Sequence, residues 1–142
     1  MDIRPAIWTD LPAMLALMQQ LHTDDPPLDL PEPIWRAMLA MPGMTVLVAD
    51  RDGRAVATCT LNIIPHLARG GRPYGLIENV VTDAGHRQLG LGRALLDAAC
   101  ARAWAAGCYK VMLMTGSKQE ATLRFYRQSG FTDDKTAFQR RN

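Results

Sequence analysis

The feature that most restricts the fold of this chain is a β–α–β segment between residues 76 and 114. Leu76 to Thr82 predicts a strand. Leu91 to Ala106 has apolar residues at positions 91, 94, 95, 98 and 99, the period of a helix, which should end before Gly107. Tyr109 to Met114 is almost wholly apolar, as expected of a central strand covered on both faces. The two strands should therefore be parallel neighbours joined by a right-handed crossover.

Two helices and a hairpin are predicted before this segment. After Thr9-Asp10, apolar residues spaced three and four apart from Leu11 to Leu21 predict a helix that Thr9 or Asp10 caps. Pro33 to Ala40 predicts a second short helix, and two strands should follow it, joined by a turn at Asp52-Gly53. These strands are Thr45–Ala49 and Ala55–Ile64, and the side chains expected to be buried in the second helix are Ile34, Trp35, Met38 and Leu39.

The segment after residue 114 predicts one more helix and one more strand. Ser117-Lys118-Gln119-Glu120 matches the S-x-x-E capping box and predicts a helix from Lys118 to Ser129, closed by Gly130. Phe131 onward should form the last strand. The chain has no internal repeat or linker, so residues 1–142 are expected to form a single domain with the element order ααβββαβαβ.

The composition excludes several classes of protein. With 48% hydrophobic and 21% charged residues, the 142-residue chain can bury a core without disulfides. A net charge of +2 is too small to indicate nucleic-acid binding. We expect no signal peptide and no membrane span, because no long apolar stretch is present. The scattered Cys59, Cys100 and Cys108 suit a reducing cytoplasm, and the isolated His66 and His86 indicate no metal site.

The most informative stretch is Arg87-Gln88-Leu89-Gly90-Leu91-Gly92, between a predicted strand and a predicted helix. Two glycines let the backbone turn tightly, and the helix start adds free N–H donors and the positive end of its dipole. Such a loop can bind a pyrophosphate, and Arg87 and Arg93 can add charge, although two glycines before a helix also occur in ordinary turns. A dinucleotide-binding fingerprint would need glycine at Leu95, and a P-loop would need Gly-Lys-Ser/Thr.

This R-x-x-G-x-G pattern, directly after a strand and opening a helix, resembles the acyl-CoA motif of the GNAT superfamily of N-acetyltransferases. A second segment, Arg124 to Phe131 (RFYRQSGF), is similar to the F-Y-x-x-x-G-F motif near the end of these enzymes. The resemblance covers nearly the whole chain and is to small, bacterial-type, single-domain members. The chain departs from the family at Gln88, where a glycine is common, and at Ala84, where a proline is common.

The resemblance implies an α+β fold with a central mixed, splayed β-sheet flanked by helices. It also implies acetyl-CoA as co-substrate. The strands 76–82 and 109–114 would diverge and admit the pantetheine arm, and the loop before the helix would hold the pyrophosphate. The cofactor-binding residues implied in this way are Val80, Val81, Thr82, Arg87, Gln88, Leu89, Gly90, Leu91, Gly92, Arg93 and Ser117, the last of which is also a candidate helix cap.

Glu78 is the candidate general base. An amine with a lysine-like pKa of about 10.4 is mostly protonated at neutral pH, so a proton must be removed before it attacks a thioester. A carboxylate in an otherwise apolar strand is costly to bury without a partner or a function. A salt bridge to an arginine and a solvent-facing position are the structural alternatives. Ile77–Val81 (IENVV) resembles the strand of sugar-phosphate and small-amine acetyltransferases. In those enzymes the carboxylate reaches the substrate amine directly or through water. Asn79, beside Glu78, is expected to bind substrate or to mark a bulge.

Tyr126 is the candidate general acid. Its place in the Phe-Tyr pair of the second motif implies a hydroxyl directed at the thioester sulfur, although a core aromatic with its hydroxyl at the surface fits the residue as well. Phe125 and Phe131 are expected in the core.

The predicted function is transfer of an acetyl group to the primary amine of a small molecule by direct attack. One alternative is a protein N-terminal or lysine acetyltransferase, which would need an open peptide groove along residues 22–33 and 65–75. Arg69 and Arg72 instead favour an acceptor with an anionic group. The other alternative is a non-catalytic acyl-CoA-binding module, which the presence of both Glu78 and Tyr126 disfavours. A homodimer is compatible with the resemblance.

Overall fold

The computed structural model describes residues 1–142. Its centre is a five-stranded sheet in which the strands follow one another in chain order. The strands are β1 (Asp2–Pro5), β2 (Met44–Arg51), β3 (Arg54–Ile64), β4 (Tyr74–Thr82) and β5 (Val111–Leu113). The helices are α1 (Leu11–Leu21), α2 (Pro31–Ala40), α3 (Leu91–Ala105) and α4 (Glu120–Gln128).

The sheet is mixed, which confirms the predicted α+β class. β1 to β4 pair in antiparallel fashion, and β4 pairs with β5 in parallel through the crossover helix α3. Asp52 and Gly53 both have positive φ angles, 55° and 81°, as the type I′ turn of a two-residue hairpin requires. The predicted hairpin and the predicted β–α–β unit are therefore both present.

The predicted order of elements is wrong at both ends of the chain. β1 was not predicted, because four residues that include two charges and a proline carry no periodic signal; it exists by pairing with Leu47 to Asp50 of β2. The last strand predicted from Phe131 is absent, since residues 131–142 form no helix or strand. β5 consequently lies at the edge of the sheet, and Met112 is exposed where a covered central strand was expected.

Three predictions about the helices also need correction. In α2 only Trp35 is buried, because one face of this helix packs on β2; Ile34 and Leu39 are exposed. The capping box at Ser117 is not formed: α4 begins at Glu120, and the Ser117 hydroxyl accepts the N–H of Gln119 inside the preceding turn. Asp10 does not cap α1, because its carboxylate accepts the Ile7 N–H and pairs with Arg4.

The sheet separates two hydrophobic cores. The α3-side core lies between the sheet and α3, with Phe125, Tyr126 and Phe131 packed against it. The α1/α2-side core lies on the opposite face and contains Met14, Leu17 and Trp35. The strand residues of the first core include Leu47, Cys59, Leu61 and Ile77, and those of the second include Val46, Val48, Ala55 and Val81.

A charged cluster joins the start of the chain to this framework. The Arg4 guanidinium donates to Asp10 at 2.8 and 3.0 Å and to Asp50 at 2.9 and 2.7 Å. Because Asp10 precedes α1 and Asp50 lies in β2, a single arginine ties three elements together. The hydrogen bonds from Arg4 lower the pKa of the Asp10 carboxyl below its usual value, against the opposing effect of burial.

Candidate active site

The candidate site begins where β4 and β5 separate. Their parallel register covers Gly75–Val111, Leu76–Met112 and Ile77–Leu113, whereas β4 itself continues to Thr82. The edge of β4 that faces β5 is therefore unpaired from Glu78 onward. Val80, Val81 and Thr82, the residues predicted to meet the pantetheine arm, all lie on this stretch.

A bulge at Asn79 accompanies the separation. Thr60 pairs with Glu78 and Thr58 pairs with Val81, so β4 has one residue more than β3 over this interval. Asn79 has a φ of 54°, an uncommon conformation for a residue with a side chain. Of the two roles considered for Asn79, the structure shows the bulge.

The segment after β4 is held in place by α1. The Asp83 carboxylate accepts from Gln20 Nε2 at 2.8 Å and lies 2.7 Å from His86 Nδ1, and the Ala84 N–H donates to Gln20 Oε1 at 2.9 Å. The hydrogen bond from Gln20, followed by that from His86, lowers the pKa of Asp83. The sequence offered no signal for Gln20, which lies on the polar side of α1 and makes its contacts over a separation of more than sixty residues.

The loop that precedes α3 presents a row of free N–H groups. None of the backbone N–H groups from Gln88 to Arg93 donates a hydrogen bond within the protein. Gly90 immediately precedes α3 with a φ of 77°, a left-handed conformation that glycine adopts without steric cost, and Gln88 adopts a φ of 63°. Free donors at a helix N-terminus form a binding site for an anion.

The second glycine of the loop has a different purpose. A Cβ on Gly92 would lie 3.1 Å from Cζ of the Phe125 ring, so a small residue here lets α3 and α4 approach each other. Arg93 supports the same contact, because its Nη1 donates to the Gln128 carbonyl at 2.7 Å while its Nε faces Asp97. Arg87 is exposed, with only its Nε engaged, at 3.4 Å from the Thr82 carbonyl oxygen. Arg87 is thus the freer of the two cations beside the loop.

Glu78 lies on the α1/α2 side of the sheet. Its neighbour Ile77 belongs to the α3-side core, and successive strand residues face opposite sides. The Glu78 side chain is exposed and takes part in none of the ion pairs of the structure, so the salt bridge considered as an alternative is not present.

Tyr126 approaches from the other side. Its ring packs on the α3-side core, with centroids 5.0 Å from Phe125 and 6.4 Å from Phe131. Burial, with a smaller contribution from Cys59, raises the pKa of the Tyr126 phenol, which therefore stays protonated at neutral pH and able to donate a proton. The two candidate catalytic residues thus belong to opposite faces of the sheet, an arrangement that the sequence did not predict.

Ser117 lies, half-buried, in the turn between β5 and α4. Cys59 is buried in the α3-side core, and burial raises the pKa of its thiol to about 12, as suits a packing role. No group of three or more His, Cys, Asp or Glu side chains is arranged to hold a metal ion. No helix is both long and apolar enough to span a membrane.

An apolar cavity between α1, α2 and the sheet was missed by sequence analysis. Thr60 and Asn79 lie among its lining residues, next to Glu78 in the sheet. Its other walls come from apolar residues of α1 and α2, which helical spacing had assigned to the core. Ile34 of α2 and Leu28, which precedes α2, remain exposed in the folded chain, so this region has more apolar residues than the core covers.

Known proteins share this architecture and sequence. Residues 13–131 match the acetyltransferase (GNAT) family. Glucosamine 6-phosphate N-acetyltransferase of Trypanosoma brucei brucei is 37% identical over 134 residues, which cover 92% of this chain and 88% of that protein. A solved structure of a protein proposed to be an acetyltransferase, from Agrobacterium tumefaciens str. C58, is 45% identical with a TM-score of 0.97 over 100% of both chains.

A solved Trypanosoma brucei acetyltransferase is 31% identical, with a TM-score of 0.84 over 99% of each chain. The matches in sequence and in fold agree with the resemblance that rested on the loop at 87–92 and the segment at 124–131. The chain therefore belongs to the GNAT family of acetyltransferases.

Proposed function

We propose that this protein transfers the acetyl group of acetyl-CoA to the primary amine of a small molecule by direct attack. The row of free N–H groups from Gln88 to Arg93 carries the proposal. It offers several donors and a helix N-terminus to a pyrophosphate, and it follows the strand whose unpaired edge faces β5. Acetyl-CoA, when bound, would supply an acetyl group already activated as a thioester.

The two-sided arrangement of Glu78 and Tyr126 supports direct transfer. Glu78, free of ion pairs, would accept the proton that the acceptor ammonium must lose before it can attack. Tyr126, with its raised pKa, would donate a proton to the departing thiolate sulfur. The unpaired N–H groups on the β5-facing edge of β4 would orient the carbonyl group between these residues. The acceptor and the acetyl donor would then meet in the gap between β4 and β5 from opposite faces of the sheet.

A second candidate function is N-acetylation of glucosamine 6-phosphate. The observation that favours it is the activity named for the Trypanosoma brucei brucei relative, which matches nearly the whole chain. A non-catalytic acyl-CoA-binding module would share the loop and bind the same ligand, but it would not turn it over.

An amine screen tests the proposal. Release of free thiol from acetyl-CoA should depend on the addition of an amine, across a panel of amino sugars, polyamines, amino acids, aryl- and alkylamines and short peptides. Amine-dependent release with a small molecule supports the proposal. Release with peptides alone would identify a protein acetyltransferase, and acetyl-CoA binding without any amine-dependent release would identify the non-catalytic module.

A further inference from the structure

The acceptor side of the candidate site contains a cavity of about 100 Å³ without a charged lining residue. α1 and α2 form most of its wall, and β2, β3 and β4 form its floor. Thirteen residues line it, of which nine are hydrophobic. Among them are Met14 and Met18 from α1, Trp35 and Met38 from α2, and Thr58, Thr60 and Asn79 from the sheet.

The mouth of the cavity is also apolar. Leu28 and Ile34, both lining residues, are 54% and 50% exposed, and the neighbouring Leu30 is 72% exposed. Exposed apolar side chains mark interaction surfaces or ligand-binding grooves. Because Leu28 and Ile34 also line the cavity, a groove for an apolar ligand fits them here.

Thr60 and Glu78 connect the cavity to the proposed chemistry. Thr60 lines the cavity and is the cross-strand partner of Glu78, so the two side chains lie on the same face as neighbours. Thr60 is only 6% exposed, and its hydroxyl makes no hydrogen bond within the protein, whereas the Thr58 hydroxyl donates to the Leu47 carbonyl at 2.7 Å. The Thr60 hydroxyl lies beside the candidate base on the cavity wall and is therefore available to an acceptor amine.

The charged residues next to the lining residues in sequence are mostly acidic. Arg36, which follows the lining residue Trp35, is the exception, and its guanidinium lies 5.0 Å from the centroid of the Trp8 ring. The segment from His22 to Pro33 contains Asp24, Asp25, Asp29 and Glu32 but no lysine or arginine. Asp29 and Glu32 directly follow the lining residues Leu28 and Pro31. Together with Glu78, these carboxylates attract an ammonium group and repel a phosphate.

The arginines that had suggested an anionic acceptor are engaged elsewhere. Arg72 donates to the carbonyl groups of Gly107 and Cys108 at 3.3 and 3.2 Å. The Arg69 guanidinium lies 5.8 Å from the centroid of the Tyr109 ring. Both precede the first residue of β4, and neither lines the cavity.

From the cavity, its exposed apolar mouth and the acidic segment beside it, we infer that the acceptor is a primary amine on an apolar, uncharged body. An aryl- or alkylamine meets this description, and a phosphorylated amino sugar does not. The inference rests on the proposed acetyltransferase function, because Glu78 connects the cavity to the reaction.

The first test compares acceptors on the unmodified protein. Acetyl-CoA turnover is measured with a series of linear alkylamines, with 2-phenylethylamine, with glucosamine and with glucosamine 6-phosphate. We expect kcat/KM to rise about fourfold for each added methylene until the cavity is filled. The best apolar amine should exceed glucosamine 6-phosphate by at least about tenfold. An equal or higher kcat/KM for glucosamine 6-phosphate would overturn the inference.

The second test changes the cavity. Met18→Lys places a cation in the wall and should lower kcat/KM for the best alkylamine by at least about tenfold, because the charge must be desolvated when the ligand binds. Met18→Leu keeps the wall apolar and should retain most of the activity. Leu39→Lys puts the same charge on an exposed position of α2 outside the lining and should change nothing. Equal losses in Met18→Lys and Leu39→Lys would contradict the assignment of the cavity.

The outcomes separate the two proposals. Turnover with glucosamine 6-phosphate in preference to apolar amines overturns the acceptor class and leaves the acetyltransferase function intact. A rise in melting temperature with acetyl-CoA, but no turnover with any amine, overturns the proposed function and this inference with it.

Discussion

Glu78 lies at an exposed position of β4 and forms no ion pair, so its carboxylate can be removed with little effect on the fold. We expect Glu78→Gln to leave the melting temperature unchanged and to lower the rate at neutral pH by about 10²-fold or more, because the proton acceptor is lost. Raising the pH should restore part of the rate, since free amine then forms without the enzyme. Purified wild type and variant are compared between about pH 6 and pH 10 with the best amine. A pH–rate profile of unchanged shape would contradict the role of base.

Tyr126 is tested by removing only its hydroxyl. Tyr126→Phe should keep the affinity for acetyl-CoA and lower kcat by about 10²- to 10⁴-fold, the range of general-acid catalysis. Burial raises the pKa of the Tyr126 phenol. Wild-type activity that is lost when this phenol deprotonates should therefore fall with a midpoint above the usual pKa of about 10. Tyr109→Phe, a change in a half-buried tyrosine stacked on His66, serves as the control. Equal turnover in both variants, with chemistry rate-limiting, would return Tyr126 to a packing role.

At the scale of the element, the start of α3 should decide whether acetyl-CoA binds. A Cβ added at Gly90 would have no atom within 4 Å, so no steric clash opposes a larger residue. Such a residue costs about 1–2 kcal/mol only because the backbone is left-handed here. Acetyl-CoA at about 100 times its dissociation constant should stabilise the wild type by about 2.7 kcal/mol. Gly90→Val should fold and lose that stabilisation. Gly85→Val lies outside the row of free N–H groups and should keep it. Differential scanning fluorimetry measures both, and a full shift in Gly90→Val would reject the pyrophosphate site.

Elements whose ends depend on local backbone conformation could be predicted from the sequence. Asp52-Gly53, Gly107 and Gly130 all adopt the positive φ angles expected of a hairpin turn and of helix ends. Elements that depend on a distant partner could not. β1 exists only through its pairing with β2, and the missing last strand left β5 at an edge. The capping box failed because the Ser117 hydroxyl is used one turn before α4 begins.

The candidate site also combines features fixed by local sequence with features fixed by distant contacts. The row of N–H donors follows from glycine placement and a helix start, both visible in the sequence. The placement of Glu78 and Asn79 on the α1/α2 side is tertiary, although a bulge was one of the two roles expected for Asn79 from the sequence. The contacts of Gln20 with Asp83 and Ala84 are likewise tertiary.

For the molecule as a whole, the Arg4 cluster predicts how stability depends on pH. The pKa of Asp10 is lowered in the folded state, so its contribution is fully present above the ordinary carboxyl pKa and is lost as the pH falls through the lower folded value. Asp10→Asn should reduce the free energy of unfolding by about 1–3 kcal/mol at neutral pH and flatten its fall in acid. Urea unfolding at a series of pH values measures both, with the exposed Asp2→Asn as control. An equally steep fall of the free energy of unfolding in acid for wild type and Asp10→Asn would contradict this prediction.

The open edge of β5 predicts self-association. Residues 132–142 are exposed and form no regular structure, and Phe138 among them is 91% exposed. Since an unpaired edge accepts an extended strand, we expect the end of one copy to pair with β5 of another. Removing residues 132–142 should raise the dimer dissociation constant by at least about tenfold, and removing only Arg141 and Asn142 should not. Light scattering at several protein concentrations tests this, and a monomeric 142-residue chain would refute the prediction.

The sheet with a separate core on each face has a consequence for how such enzymes diversify. Strand residues of the two cores alternate along β2, but their side chains face opposite sides of the sheet and contact different helices. The α3 face, with its loop of free N–H groups, can therefore be inherited unchanged while the residues of α1 and α2 drift. On the proposed arrangement, with the acetyl donor on the α3 side and the acceptor on the α1/α2 side, related proteins can keep a common donor while their acceptors change.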